Sequence, residues 1–470
     1  MKKKVAIMVA IGLVGIIILV IIALPLTKRQ EPPTLQEGEV IEDRFGAICS
    51  LSGIIERIEM KDEEGIILQK EKENWIEEAY PTLVYNQEAV QSLLNHLKIT
   101  ISEQVIHNVQ DLEKYGIKEG APMVTLYNEE NTGETLVIGG QTADKMKSYV
   151  WNEVHQALYI VTNEQMEQLS LKRDELLVKK LSLPEKDSIW QMRIEEEGEK
   201  PLILVKSELE GQEGYEEWQI KDFFVDAHTL SGEWMTNLLD QLEAFEKDGF
   251  VGTVEGLEDP GLLENNLTLV LNENWTIQFG KVKNGFIYFT YSEEPYIYKM
   301  AEDKIRPFIN LKPIEMIRKE VHIPQLEGLE KITFNNPKES FILEVKEELG
   351  TQEEESNTQS PENKKPVYEG KLEKRRLNQQ ELEEILDLTG KSIRIEMLLK
   401  NPQIEQKENR PPEVSLRFDY KAGYSKSIEL VPYDIHFYIL RVDGIVEFAA
   451  SKQPVMALFN TLSQWASQEE

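Results

Sequence analysis

A single cysteine, Cys49, stands among 470 residues, so no disulfide can close within the chain. Stability must therefore come from packed cores, which this length supplies in about two to four domains. Histidine is also sparse: His96, His107, His155, His228, His322 and His436 are scattered, with no i, i+4 pair and no cysteine partner. That spacing excludes the usual zinc motifs. No G-x-S-x-G nucleophile elbow occurs. Basic charge is outweighed, with 52 Lys and Arg against 84 Asp and Glu. Polyphosphate backbones would be repelled by such a surface, which excludes nucleic acid as a partner.

Against these absences stands one long apolar run. From Val5 to Leu26 no side chain is charged, and nearly all are Val, Ile, Leu, Ala, Met or Gly. As a helix these 22 residues span about 33 Å, enough to cross a bilayer core. In hydrocarbon every backbone N–H and C=O must be paired internally, so the run is expected to be helical. A cleavable signal peptide is the rival, because Lys2, Lys3 and Lys4 resemble its basic region. The run is too long for that, and Leu24, Pro25, Leu26 and Thr27 offer no small-residue cleavage site. A lipoprotein is disfavoured, since Cys49 lies well past the run and follows Ile48.

Positive charge sets the orientation. Lys2 to Lys4 and the α-amino group precede the run, and Lys28 and Arg29 follow it. The bias leaves residues 1–4 as a cytoplasmic tip and puts Gln30 to Glu470 outside. Removing the five basic side chains of residues 1–30 leaves 47 basic against 84 acidic, a net charge of −37 outside. A cysteine-poor, acidic ectodomain fits a bacterial cell surface better than a disulfide-dense eukaryotic one.

Residues 27–52 read as a tether, with Pro32, Pro33, several acids and an apolar patch near Phe45. A pattern then recurs. In residues 53–183, Ile54–Met60, Ile66–Lys70 and Trp75–Glu77 read as a short meander. A helix from about Asn86 to Lys98 follows, with Ala89, Val90, Leu93, Leu94 and Leu97 on one face. Strands are expected at Met123–Tyr127, Thr135–Ile138, Tyr149–Trp151 and Leu158–Val161, then a short helix with Met166 and Leu169.

Residues 184–323 repeat this order. Trp190–Ile194, Leu202–Val205 and Glu217–Ile220 precede a helix striped by Leu230, Trp234, Leu238, Leu239 and Leu242, capped by Thr229 or Ser231. Strands follow at Leu267–Leu271, Thr276–Phe279, Phe286–Tyr291 and Tyr296–Met300. Trp75 lies 64 residues before Gly139, and Trp218 lies 62 before Gly280; Gly139 to Tyr159 is 20, and Gly280 to Tyr298 is 18.

A looser third copy fills 324–470. Ile332–Phe334 and Phe341–Lys346 open it, and a helix at Gln379–Leu388 takes the central place. Val414–Tyr420, Ile428–Val431, Phe437–Val442 and Val446–Ala449 follow, and a helix with Val455, Leu458, Phe459, Leu462 and Trp465 closes it. Residues 347–366 are polar and are expected to be a disordered loop. Short strands alternating with one or two helices per copy indicate an α+β fold of tandem antiparallel modules behind one transmembrane helix.

These anchors resemble a bacterial family, domain of unknown function 4340. Its pattern is an N-terminal membrane segment, a Trp-containing strand, a Leu-striped helix and a D-L-x-x-Y-G-L-x-x-P segment. The last reads here Asp111, Leu112, Glu113, Lys114, Tyr115, Gly116, Ile117, with Pro122 two residues late. Val137, Ile138 and Gly139, then Tyr149 and Val150, then Leu158, Tyr159, Ile160 and Val161 match the strand motifs. The second copy is more distant, with Leu257, Glu258, Asp259, Pro260, Gly261 and Leu262 in place of the Tyr-Gly segment. The resemblance implies no catalytic residue. It implies company, because genes of this family often lie beside gliding-motility-type ABC transporter genes.

The remaining motifs point away from chemistry. Thr389, Gly390, Lys391 and Ser392 imitate a P-loop end, but Ile385 stands where a glycine is required, so they read as a helix terminus. Cys49 reads as inert packing, and Glu195–Glu197 and Glu353–Glu355 as solvated charge in turns or the loop. Gly116 reads as a left-handed helix end. Phe286, Tyr288, Phe289 and Tyr291 could form a glycan or peptide platform, although strand alternation puts half of them in the core. The expectation is a single-pass, extracytoplasmic, non-enzymatic protein without catalytic, cofactor or metal residues, whose modules bind a partner such as an ABC transporter complex. The alternatives are a surface protein for peptide or glycan, and an anchored enzyme whose site would reveal itself as a Ser–His contact or a carboxylate pair.

Overall fold

The computed structural model describes residues 38–42, 45–62, 65–169, 172–209, 212–254, 262, 267–292, 294–349, 366–399, 407 and 409–468. They form three nine-stranded antiparallel sheets and one two-stranded ribbon. The expected anchor, Val5–Leu26, lies outside the described residues, and so do residues 350–365 and Leu257–Gly261. No helix among the described residues is long and apolar enough to cross a membrane. Two compact units are present, Met1–Leu181 with Lys247–Phe250, and Ser182–Glu246 with Val251–Glu470.

The three sheets share a core order of eight strands; the first adds Val40–Glu42 at one edge, whereas the second and third add a fourth meander strand at the other. The first runs Asn74–Glu77, Ile66–Glu71, Ile55–Lys61, Met123–Asn128, Gly133–Gln141, Lys147–Asn152, Ala157–Thr162, Gln104–His107, Val40–Glu42. The second runs His228–Thr229, Gln212–Lys221, Leu202–Leu209, Gln191–Glu196, Leu267–Leu271, Trp275–Lys283, Phe286–Tyr291, Glu294–Ala301, Gly249–Thr253. The third runs Arg375–Leu377, Pro366–Leu372, Ser340–Leu349, Leu329–Asn335, Val414–Tyr420, Ser425–Pro432, Phe437–Val442, Ile445–Ser451, Met397–Leu398. In each, two meanders meet through their first strands: Ile58 opposite Leu126, Ile194 opposite Leu269, Ile332 opposite Phe418. Between the meanders the chain makes a helix and a short strand that pairs beside the last strand of the second meander, with Val40–Glu42 beyond it in the first sheet.

Each central helix forms for local reasons. Asn86 caps Gln87–Ile99 by accepting from the N–H groups of Glu88 and Ala89, and Val90, Leu93, Leu94 and Leu97 are buried at helical spacing. Ser231, rather than Thr229, caps Gly232–Glu243. There Met235 joins Leu238, Leu239 and Leu242 in the buried stripe, while Trp234 stays half-buried. Asn378 and Glu381 form a reciprocal capping box at Gln379–Ser392. Thr389 and Gly390 are buried in that helix's last turn, with the Thr389 hydroxyl donating to Ile385 O at 2.7 Å. The closing helix Lys452–Ala466 buries Val455, Leu458, Phe459 and Leu462.

Three expectations need correction. The described part of the tether is docked: Val40–Glu42 pairs with Gln104–His107, and Gly46–Ala47 pairs with Ile101–Ser102. The loop is shorter than read, because Ser340–Leu349 and Pro366–Leu372 are paired strands through Glu347 opposite Tyr368. Cross-strand pairing rewards polar residues there, which a hydrophobicity pattern does not register. Of the acidic run, Glu195 and Glu196 end a strand rather than lying in a turn, and Glu196 accepts from Asn310 N–H at 2.9 Å.

In the first sheet both faces are covered. Opposite the helix, Val137, Tyr149, Trp151, Leu158 and Ile160 pack with Tyr115, Ile117 and Ala121 of the Tyr-Gly segment. Gly116 has φ +80°, and a Cβ there would lie 2.5 Å from Gly140 N. A Cβ on Gly139 would lie 2.6 Å from Tyr115 O, so both positions exclude a side chain. A second tie is buried charge: Arg173 donates to Glu77 at 2.9 Å, and the Tyr85 hydroxyl donates to the same carboxylate at 2.7 Å.

Candidate functional site

The densest polar cluster among the first unit's described residues is built on Glu134. This carboxylate, 2% exposed, sits near the start of strand Gly133–Gln141. Ser50 N–H donates to its two oxygens at 2.9 and 3.0 Å, and Asn152 Nδ2 donates to Oε1 at 2.5 Å. Asn152 also donates to Ile48 O at 2.8 Å and accepts from the N–H groups of Val154 and His155. The turn after strand Lys147–Asn152 thereby aims His155 at Ser50, with Oγ 2.7 Å from Nε2. Nδ1 of His155 is 2.7 Å from the Tyr159 hydroxyl.

A Ser–His contact is the feature that would point to an anchored enzyme, so its geometry matters. In a nucleophilic triad the acid holds the ring nitrogen away from the serine. Here Glu134 Oε1 lies 3.5 Å from Nε2, the nitrogen that already faces Ser50. Nδ1 meets a phenol whose pKa burial pushes up, followed by Glu134, so Tyr159 stays neutral and stabilises an imidazolium weakly. Ser50 N–H, the nearest donor for an oxyanion, is committed to Glu134. The arrangement can exchange a proton between Ser50 and His155, but its bonds serve to fasten residues 48–50 to the sheet. Beside them burial pushes the Cys49 thiol up to about 11, which keeps it protonated and inert.

The second unit offers a groove instead. A cavity of about 420 Å³ is lined by Val254, Thr276, Gln278, Thr290, Ser292 and Glu294. Glu294 is buried and accepts from the hydroxyls of Tyr291 and Tyr298. Burial, then the bond to Glu294, pushes the Tyr298 phenol far up, so Tyr298 stays a neutral donor. Phe289 and Tyr291 are buried in the core, Tyr288 is half-buried, and Phe286 is 38% exposed beside Lys299. Four rings therefore do not form a single platform.

The other histidines are dispersed. His96 lies on the first helix, His107 stands 3.8 Å from Glu42, and His436 sits in the turn before Phe437. His228 Nε2 lies 3.0 Å from Glu447, and His322 Nε2 lies 2.7 Å from the Tyr420 hydroxyl. No three His, Cys, Asp or Glu side chains are grouped to hold a metal among the described residues. Sequence reading missed the Ser50–Glu134–His155 cluster because its members are 84 and 105 residues apart. The only local signal was Asn152 and His155 flanking a turn.

The fold and its polar ties define an α+β protein of repeated antiparallel sheets, each with a helix against one face. Residues 75–264 match the family described as Domain of unknown function (DUF4340). The match begins at the Trp strand and takes in the Tyr-Gly segment and most of the second copy. No curated protein and no solved structure matches the chain.

Proposed function

We propose that the chain is a single-pass membrane protein, anchored through residues 5–26 with residues 30–470 outside the cytoplasm, and that its sheets are a non-enzymatic platform for a partner. An ABC transporter complex is the partner that the family resemblance suggests. The observation that carries this reading is repetition with divergence: three sheets keep one core strand order, while the face away from the helix is covered by the Tyr-Gly segment in the first and is lined by Thr276, Gln278 and Thr290 in the second. A binding platform can tolerate such change, because helix-side packing carries the core and the outer face is left to vary. Docking of Val40–Glu42 into the first sheet supports the anchored role, since it ties the first unit to the chain that follows the apolar run. Affinity capture of the full chain at native expression, from mild detergent, should recover a transporter subunit. Recovery of the intact chain without any transporter subunit would sink the partner.

A second reading rests on the groove of the second sheet, whose hydroxyl and amide side chains suit a peptide or glycan. Glycan and peptide arrays probed with wild type and with Gln278→Leu should then show a signal that the variant loses. Arrays without signal above background would remove this reading.

A further inference from the structure

The ribbon Gly46–Ala47 with Ile101–Ser102 shows an inverted surface. Its inward positions, Ile48, Thr100 and Ser102, are buried, as alternation requires. The outward positions should then be polar, yet they are Phe45, Ala47 and Ile101, and Ile99, the last residue of the helix Gln87–Ile99, is exposed just before them. Phe45 is 77% exposed, Ile99 67% and Ile101 48%. Ala47 faces Ile101 directly across the ribbon, so these side chains share one face. Ile54 adds to the same end of the unit, where Lys98 Nζ donates to Gly53 O at 3.1 Å, and it is 61% exposed. Glu103, the next outward position, is paired with Lys147.

We infer that this apolar face seats in the interface of the bilayer that holds the anchor. The inference rests on the proposed anchoring. Its occupant is argued from chain length. Between Leu26 and Gly38 there are 11 residues, which reach at most about 40 Å even fully extended. Val40–Glu42 is already paired in the sheet, so the ribbon cannot stray far from the membrane surface. Aromatic and aliphatic side chains on a small exposed element are what an interface accepts, whereas water penalises them. The acidic character of the outer chain restricts the lipid to one without net negative charge.

The test uses the full chain in nanodiscs of phosphatidylcholine, some carrying nitroxide-labelled lipid. An environment-sensitive fluorophore is placed at Phe45→Cys, or at Glu73→Cys in the turn before the edge strand Asn74–Glu77 of the nine-stranded sheet, each in a Cys49→Ser background. Co-elution of chain and nanodisc tests the anchor separately. With the anchor held, emission at position 45 should fall about twofold with labelled lipid while position 73 stays unchanged. Should a labelled variant misfold, hydrogen exchange at Ile99–Glu103 of the wild-type chain provides the second readout, slower in nanodiscs than in the detergent-released chain. Equal quenching at both positions, or none at position 45 with exchange unaltered, would overturn the inference.

Discussion

The first and second sheets carry the same core strands in the same order and differ at their edges, yet their outer faces have opposite chemistry. In the first, Val150 lies opposite Tyr159, and the next residue, Trp151, lies opposite Val137. In the second, Phe289 lies opposite Tyr298, and the next residue, Thr290, lies opposite Gln278. Trp151 and Val137 are buried under the Tyr-Gly segment, whereas Thr290 and Gln278 line a groove. One buried face suffices to hold a sheet of this size, so the other face can be apolar and covered or polar and wet. The chain that follows each second meander repeats the lesson. Asn86 N–H donates to Leu176 O and Val178 N–H to Val84 O; Ser231 N–H donates to Met316 O and Arg318 N–H to Thr229 O. The backbone bonds match, but the side-chain charges do not. Arg173 and Glu77 are nearly inaccessible, while Arg318 and Glu217 are partly wet.

The largest expected effect comes from that last contrast. Arg173→Met leaves Glu77 buried without its guanidinium and should cost about 3–5 kcal/mol. Arg318→Met should cost about 1 kcal/mol or less, because water replaces the lost partner. Denaturant unfolding, followed separately for the two units, checks both values. Equal losses would mean that burial does not separate the pairs. Next, Trp151→Ala should cost about 3–5 kcal/mol through the cavity it opens, and Thr290→Ala should stay within about 0.5 kcal/mol. A Thr290→Ala loss as large as that of Trp151→Ala would show that the second face is packed, not open.

A third contrast concerns acid. Pro184 and Pro324 occupy matching places after the two meanders, preceded two residues earlier by Ser182 and His322 respectively. His322 packs against Phe418, and burial pushes its pKa down from 6.5 to about 4. Between those values the unfolded chain binds a proton that the folded chain refuses. Stability from this group is therefore full above about pH 6.5 and is lost as pH falls toward 4, on the order of 3 kcal/mol. His322→Gln, which can still bond Tyr420 but does not titrate, should flatten the second unit's profile across that window. Parallel wild-type and variant profiles would contradict the assignment.

Strands with strong apolar periodicity were legible in the sequence, and the helices with them, because their stripes and caps are local. Met123–Asn128 and Phe437–Val442 are examples. The strands after the central helices, Gln104–His107, Gly249–Thr253 and Met397–Leu398, were not, since at two to five residues they are too short for a period and pair with partners far along the chain. The docked tether was missed for a related reason: Val40–Glu42 is exposed throughout, and its pairing with Ile106 is a property of the fold. Gly116 was read correctly as a left-handed terminus, because a glycine after a helical turn needs no tertiary information. Its approach to Gly140 did need it.

The smallest effect decides the most about chemistry. If Ser50 and His155 are a fastening, Ser50→Ala removes the exposed hydroxyl's bond to His155 and its longer one to Glu134, and should cost about 0.5–1 kcal/mol. Glu134→Gln should cost more, about 1–3 kcal/mol, because an amide nitrogen would then face Ser50 N–H or Asn152 Nδ2 and leave a buried donor unpaired. A catalytic serine inverts this ranking. Ser50→Ala would then leave stability nearly untouched, and a fluorophosphonate probe would label the wild-type chain at Ser50. The geometry argues for the first ranking, since Glu134 lies on the Ser50 side of the imidazole and holds the Ser50 amide. Unfolding of the two variants, together with intact-mass measurement after probe treatment, separates the cases. A mass shift at Ser50 that His155→Ala abolishes would establish a nucleophile and end the non-enzymatic reading of the first unit.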